Sequence, residues 1–337
     1  MMRFSVVLAT YNGSEYVEAQ LDSVVRQSRP PDEIVVYDDG SSDDTVARCE
    51  RLLGAAQITH TIVRGTSNVG VSRAFSEAVR TTAGDVVFLC DQDDVWHARK
   101  IESVADVFET RPGTLLVIHD LEYCDAQLHP IGQTKLERFR VLGLPTSAFV
   151  TGMATAIRRE VAMCALPVPE LSVTAFDDWF HWVAQTLEGR YVLETPLASY
   201  RRHDSNTTIG RTLNVPSVVK RRPLDIGAKL RSLPGHARRV AEQHKLAAAQ
   251  IAWVRSPCAA RLFAASTQGD VRGVLSGLHA TREALGRRLE ALTSPRWLRP
   301  RAVWRAGRSG AYRSASFTEL AKDLLAPSVD RSRSTPE

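Results

Sequence analysis

The sequence predicts an α/β domain built on a mostly parallel sheet flanked by helices, followed by a mainly helical region. Short apolar runs alternate with amphipathic stretches through the first part of the chain, the βαβα order that lays helices over a parallel sheet. The acidic or polar loops TYNG, DDGSSDD and DQDD each follow one of those runs. The charge is also divided: residues 1–210 carry 19 Lys+Arg against 29 Asp+Glu, and residues 211–337 carry 24 against 9. Two regions with different partners are expected.

Taken in order, Phe4 to Ala9 (FSVVLA) reads as a buried strand ending in the loop Thr10-Tyr11-Asn12-Gly13. Ser14 to Gln27 repeats apolar residues at helical spacing (Tyr16, Val17, Leu21, Val24, Val25), and Pro30-Pro31 stops it. Glu33 to Tyr37 is a second strand, and the serines and acids from Asp38 to Asp44 suit the start of the next helix. An apolar segment at Ile58 to Val63, a loop through Asn68-Val69-Gly70 and a helix from Ser72 to Thr81 follow. Asp85 to Cys90 is a strand that runs into Asp91-Gln92-Asp93-Asp94-Val95-Trp96, with a helix at Ala98 to Phe108. Val150 to Ile157, interrupted by Gly152, reads as a strand, the glycine admitting either a close approach or a bulge. Residues 236–254 and 270–292 are expected as helices, the second with an apolar stripe from Val271 to Leu292. Ligands bind outside the carboxyl ends of such parallel strands, so the three loops should converge on one site.

With 337 residues, 44% of them hydrophobic, the chain can bury a large core. Residues 1–210 are expected as a catalytic domain, 211–326 as a basic, mainly helical region and 327–337 as a disordered tail, with the Pro/Arg-rich stretch Asn214 to Leu224 near the boundary. No apolar run reaches the length of a membrane span and the opening run is too short for a signal-peptide core, so a cytoplasmic location is expected. Cys49, Cys90, Cys124, Cys164 and Cys258 are widely spaced without a CxxC pair and are expected as buried thiols. The sequence holds no GxGxxG, P-loop, GxSxG or HExxH pattern, which argues against a dinucleotide dehydrogenase, a Walker-type ATPase, an α/β-hydrolase and a zincin.

Asp91, Asp93 and Asp94 place three carboxylates within four residues, and a divalent cation would offset their repulsion. Mg²⁺ or Mn²⁺ takes oxygen ligands and needs few carboxylates when phosphates complete its shell, which points to a nucleotide diphosphate. The same acids also suit a helix start, and both readings stand. Asp38-Asp39 has a plain reading as a capped turn, but a carboxylate at a strand end can also accept from a base N–H or ribose hydroxyls, and Asp39 is the favoured candidate.

The series VVLATYNG, EIVVYDDGSSDDT, NVG, GDVVFLCDQDDVW with Lys100, FDDW and YRRHDSN resembles glycosyltransferase family 2, most closely its rhamnosyltransferase-like bacterial members, over roughly residues 3–210. The resemblance implies a GT-A fold, a metal-dependent nucleotide-sugar donor (a dTDP-sugar favoured, a UDP-sugar next) and inversion at the anomeric carbon. It implies that Thr10, Tyr11, Asp39, Asn68 and Asp91 bind the nucleotide-sugar, and that Asp91, Asp93 and His203 serve the metal. It makes Asp178 the catalytic base, in a pair Asp177-Asp178 where the family commonly has Glu-Asp. Arg201, Arg202, Asp177 and Trp179 are candidates for diphosphate or acceptor contacts. The acceptor class it implies is a growing surface polysaccharide or a lipid-linked glycan.

An inverting displacement needs one carboxylate to take the acceptor proton and a Lewis acid for the departing diphosphate, which agrees with this assignment. In the basic region Arg296, Arg299, Arg301, Arg305, Arg308 and Arg313 interleave with Trp297, Leu298, Val303, Trp304 and Tyr312. That mixture suits an anionic membrane surface on the inner face of the cell membrane, or a solvated face over a helical core. Two other functions compete with this reading. A nucleotide-sugar pyrophosphorylase would carry a Gly-rich basic loop after the first strand, which TYNGSEY lacks. A nucleic-acid-binding protein would use the basic region, but the acidic charge of residues 1–210 argues against it, and no nucleic-acid partner is expected.

Overall fold

The computed structural model describes residues 2–203, 235–266, 270–294, 298–312 and 317–326. The chain divides into two compact units. The first comprises Met1–Val168, Ala175–Val215 and Leu262–Gly269; the second comprises Pro169–Thr174, Pro216–Arg261 and Asp270–Glu337. The expected boundary near residue 210, the stretch Asn214 to Leu224 and the tail after residue 326 lie outside the described residues.

The first unit opens with β1 (Phe4–Thr10), α1 (Val17–Val25), β2 (Glu33–Asp38), α2 (Thr45–Ala55), β3 (Thr59–Arg64), α3 (Val71–Thr81) and β4 (Val86–Cys90). Every residue of β4 and all but one of β1 are buried, so these runs are apolar without alternation, as a strand covered on both faces must be. β3 is largely exposed and lies at the edge. α1 starts later than the periodicity predicts, because the Gly13 carbonyl accepts the N–H groups of both Tyr16 and Val17 and the preceding residues form a turn.

The unit continues with β5 (Val95–Trp96), α4 (Lys100–Thr110), β6 (Leu116–Cys124), α5 (Lys135–Val141), β7 (Thr155–Arg158), α6 (Arg159–Ala165), α7 (Phe176–Thr186) and β8 (Arg190–Arg201). Together the strands form one sheet in the order β3-β2-β1-β4-β7-β6-β8-β5. The pairs β1·β2, β1·β4, β2·β3 and β6·β8 are parallel, and β4·β7, β6·β7 and β5·β8 are antiparallel. The expected strand Val150 to Ile157 is corrected: Gly152–Ala154 is a 3₁₀ turn and only Thr155–Arg158 pairs. Gly152 marks a close approach, since a Cβ there would lie 2.9 Å from the Phe176 ring. β6 is irregular at Asp120, and the carboxylate accepts the N–H of Leu136 at 2.9 Å, fixing the start of α5.

In the second unit the described helices are His236–Val254, Val271–Thr293, Arg299–Arg308 and Phe317–Leu325, with Pro257–Ala265 straddling the division. The expected stripe is half-buried along most of Val271–Thr293, and Leu285 and Leu289 pack on a core of Ala237, Val240, Leu292 and Ala326. Cys49, Cys90 and Cys124 are buried free thiols, whereas Cys164 and Cys258 are disulfide-bonded, which corrects the expectation for those two. Among the described residues no helix is long and apolar enough to cross a membrane.

Candidate active site

The carboxyl ends of β1, β2 and β4 point the same way, with Thr10 paired to Asp38 across the ladder and Leu8 to Cys90. The loops after them therefore meet. Asn12, held at φ 46°, accepts the Ser42 N–H through its side-chain oxygen at 2.9 Å and gives its own N–H to Ser41 Oγ at 2.9 Å, so TYNG and DDGSSDD form one surface. Gln92 braces the same loop from the DQDD side, accepting the Tyr11 N–H at 2.9 Å and donating to the Tyr11 carbonyl at 3.1 Å. Tyr11 is left 45% exposed at the rim. Thr10 is buried, with its hydroxyl donated to Asp38 Oδ1 at 2.9 Å.

The two neighbouring acids of β2 divide their work. Asp38 accepts from the hydroxyls of Thr10 and Ser41 and from the Ser41 N–H, as a turn anchor does. Asp39 reaches the other way: its two oxygens accept the N–H groups of Val69 and Gly70, each at 2.8 Å, at the start of α3. That holds the Asn68 loop against β2, and Asn68 itself is exposed. Gly40 (φ 81°) is required here, because a side chain would meet the backbone of Ser67 at 3.1 Å.

After β4 the acids crowd together. Burial, together with the charges of Asp93 and Asp177, pushes the Asp91 carboxyl up to about 7. Asp94 is raised well above the carboxylate range by burial and by Asp93 and Asp91; its Oδ1 accepts the Arg201 N–H at 2.9 Å, while its Oδ2 is buried without a hydrogen bond. Asp177 is raised by burial and by Asp178. Two lysines face this cluster. Lys100, fully buried, donates to the Met153 carbonyl at 2.6 Å with its ammonium 3.6 Å from the centre of the Trp96 ring, and burial lowers it to about 7. Lys135 donates to the Val150 carbonyl at 2.6 Å and is lowered by burial to about 8.

Asp177 and Asp178 occupy the first turn of α7, where Asp178 Oδ2 accepts the Ala175 N–H at 3.1 Å and Asp177 Oδ1 accepts the Asp178 N–H at 3.0 Å. The helix-start reading of this pair is realised. At the end of β8, His203 Nε2 lies 2.9 Å from Asp93 Oδ2, with the Tyr16 ring 4.6 Å from the imidazole. Arg201 is buried and directs donors to the carbonyls of Asp93 (2.8 Å) and Ala126 (2.6 Å). Arg202 lies over the Tyr123 ring at 5.9 Å. Trp179 turns into the core, with its indole N–H donated to the Ala165 carbonyl at 2.7 Å.

The structure thus brings Asp91, Asp93, Asp177 and His203 into one acidic cluster beside the Tyr11 and Asp39 loops, and it does not bring Trp179 there. Sequence reasoning passed over Gln92 and Lys135. Gln92 carried a signal in its place between two acids, whereas Lys135 enters through a bulge that leaves no sequence mark. The donor chemistry fits a hard divalent cation: buried carboxylates that repel one another, one of them oriented by an imidazole. Among the described residues no three His, Cys, Asp or Glu side chains form a complete donor set, so the fit requires oxygens from a bound phosphate or water.

Residues 5–165 match the sequence profile of glycosyl transferase family 2. An uncharacterized glycosyltransferase of Nostoc sp. is 28% identical over 215 residues, covering 61% of this chain and 66% of the relative. The dTDP-rhamnosyl transferase RfbG of Shigella flexneri is 23% identical over 224 residues, 64% of this chain and 77% of that one. The chain spans about two thirds or less of the relatives it matches first. A solved structure of S. aureus TarS 1-349 in complex with UDP-GlcNAc has a TM-score of 0.55 at 16% identity, covering 96% of this chain and 90% of that chain, a likeness of fold. The fold is of the GT-A type, and residues 5–165 carry the match to glycosyl transferase family 2.

Proposed function

We propose that the protein is an inverting, metal-dependent glycosyltransferase that moves a sugar from a nucleotide diphosphate to an acceptor hydroxyl. The observation that carries this reading is the Asp91, Asp93 and His203 group at the mouth of β4, where carboxylates are held against one another beside the Tyr11 and Asp39 loops. A divalent cation, Mn²⁺ or Mg²⁺, bound by Asp93 and His203 with Asp91 beside them, would supply Lewis-acid stabilisation of the leaving diphosphate.

The protein's own groups then act as follows. Tyr11 flanks the base, and Asp39 with the Asn68 loop shapes the ribose pocket. Asp178, in the first turn of α7 next to Asp177, accepts the proton of the attacking acceptor hydroxyl. Asp177 lies between that base and Asp91 in the electrostatics of the cluster and keeps the acceptor side negative. Arg202 is the candidate for a diphosphate contact here, since Arg201 directs two donors to backbone carbonyls.

For the donor we favour a dTDP-sugar, with L-rhamnose first, supported by the likeness to the Shigella flexneri protein named for dTDP-rhamnosyl transfer. The acceptor class is a surface polysaccharide or lipid-linked glycan. Calorimetric titration with dTDP, UDP and GDP, each with and without Mn²⁺, tests the whole reading. Binding of one nucleotide that depends on metal supports it, and absence of binding to all three rejects it.

A further inference from the structure

The carboxy-terminal unit sorts its arginines into two populations. Inside, Arg288 donates to Asp323 Oδ2 at 2.7 Å and to Glu319 Oε2 at 2.9 Å, and Arg299, 1% exposed, donates to the carbonyls of Leu292 and Ala326. This corrects the expectation that Arg299 belongs to an outward basic face, while Arg296, Trp297 and Arg313 lie outside the described residues. Outside, Arg301, Arg305 and Arg308 are exposed on the helix Arg299–Arg308, and none of the three makes a side-chain hydrogen bond or ion pair.

These three recur at helical spacing and share one face with Trp304, which is 64% exposed and has the Arg308 guanidinium 5.0 Å from its ring centre. The opposite face, Arg299, Val303 and Ala306, is buried. The helix contains no acidic residue. Through the Ala326 carbonyl, Arg299 also ties in the end of the helix Phe317–Leu325, where Leu324 and Leu325 are 40% and 57% exposed.

We propose that this face docks the protein onto an anionic lipid bilayer. An interfacial helix presents cations to the headgroups and an aromatic ring to the headgroup boundary, and Arg301, Trp304, Arg305 and Arg308 supply both on one stripe. The exposed Trp304 ring and the exposed leucines at the end of the neighbouring helix favour a bilayer over a dissolved polyanion, whose phosphodiester backbone offers no apolar phase. Each basic residue near an anionic surface changes partition about fivefold, so the three together are worth on the order of a hundredfold at low salt. Screening reduces that share as salt rises, leaving the ring and the leucines.

Vesicle flotation of the full chain, without donor or acceptor, tests this independently of the transferase reading. Phosphatidylcholine vesicles with phosphatidylglycerol should float the protein, and phosphatidylcholine alone should float far less of it. Replacing Arg301, Arg305 and Arg308 together by Gln should weaken binding on the order of a hundredfold. Trp304→Ala should weaken the binding that survives at high salt. These side chains face solvent, so circular dichroism and nucleotide affinity should match the parent protein. The proposal fails if the parent chain ignores anionic vesicles, if the triple variant floats equally well, or if single- or double-stranded DNA displaces the protein from the vesicles.

Discussion

His203 Nε2 stands 2.9 Å from Asp93 Oδ2, joining the end of β8 to the loop after β4 across 110 residues of chain. The contact is framed by the Tyr16 ring on one side and by Arg201, which donates to the Asp93 carbonyl, on the other. Asp93 is therefore held at its carboxylate and its carbonyl from the end of β8, with Tyr16 against the imidazole. A group that orients a metal-binding carboxylate typically contributes 10- to 100-fold in affinity. His203→Ala should weaken Mn²⁺-dependent nucleotide binding by about that factor, and Asp93→Ala should abolish it. Equal nucleotide affinity with and without Mn²⁺ in the parent protein would remove the metal from the site.

On the proposed function Asp178 has two tasks that a single substitution can separate. Its Oδ2 caps α7 through the Ala175 N–H, and an asparagine oxygen can accept the same bond. Asp178→Asn should therefore preserve stability while removing the base, which is worth about 10² to 10⁴ in turnover. Donor affinity should stay within about twofold if the base acts only on the acceptor. A variant with parental kcat would place the base elsewhere, with Asp177 the first alternative.

Asp39 is the residue whose reading changed most between sequence and structure. Both of its oxygens already accept backbone N–H groups at the start of α3. Hydrogen bonds to a charged group are worth about 1.5–3 kcal/mol each, so losing both in Asp39→Ala should cost about 3–6 kcal/mol of stability and loosen the Asn68 loop. Urea denaturation reads the loss. Should Asp39→Asn lose nucleotide affinity while keeping full stability, the ligand rather than α3 is the main partner of this carboxylate.

The first half of the sheet was legible because its strands are buried on both faces. Runs such as Val86–Cys90 are then apolar throughout, and the loops after them are short and polar. The second half was hidden for the opposite reason. β8 is mostly half-buried and carries Glu194, Thr195 and Pro196 in its middle, and β5 is two residues long, so neither produces a period. The acids of the site stood out as clusters, yet their partners did not. Lys100 sits one helical turn beyond Trp96, and Lys135 more than 40 residues from the nearest acid of the DQDD loop. Only the folded chain shows that both ammonium groups face Asp91 or Asp177.

Lys100 should give the protein a pH signature. Burial lowers its folded pKa to about 7 from an unfolded value of 10.5. Between those values the unfolded chain binds the extra proton, so stability rises as pH increases through that window, at no more than about 1.4 kcal/mol per pH unit for one group. Below pH 7 the ammonium is charged in both states and the cost of burying it is fully present. Lys100→Met keeps the length of the stem and removes the titration. Urea midpoints at pH 7.5 and pH 9.5 should therefore move apart less in the variant than in the parent, and an unchanged difference would show that another group carries the slope.

Asp323 carries the carboxy-terminal unit in the same sense that Asp38 anchors a loop. It is 0% exposed and accepts from Arg288, His236 and Tyr312, linking three described segments of that unit. The carboxyl is held below its usual range: burial works against the charge, but hydrogen bonds from His236, Arg288 and Tyr312 outweigh it. Removing one partner of a buried pair leaves the other charge uncompensated, typically at about 3–5 kcal/mol. Asp323→Ala should strand the Arg288 guanidinium in this way and open the unit to exchange. Amide hydrogen exchange should accelerate in His236–Val254 and Phe317–Leu325 while β1 and β4 keep their protection. If the two strands lost protection together with those helices, the two units would unfold as one cooperative body.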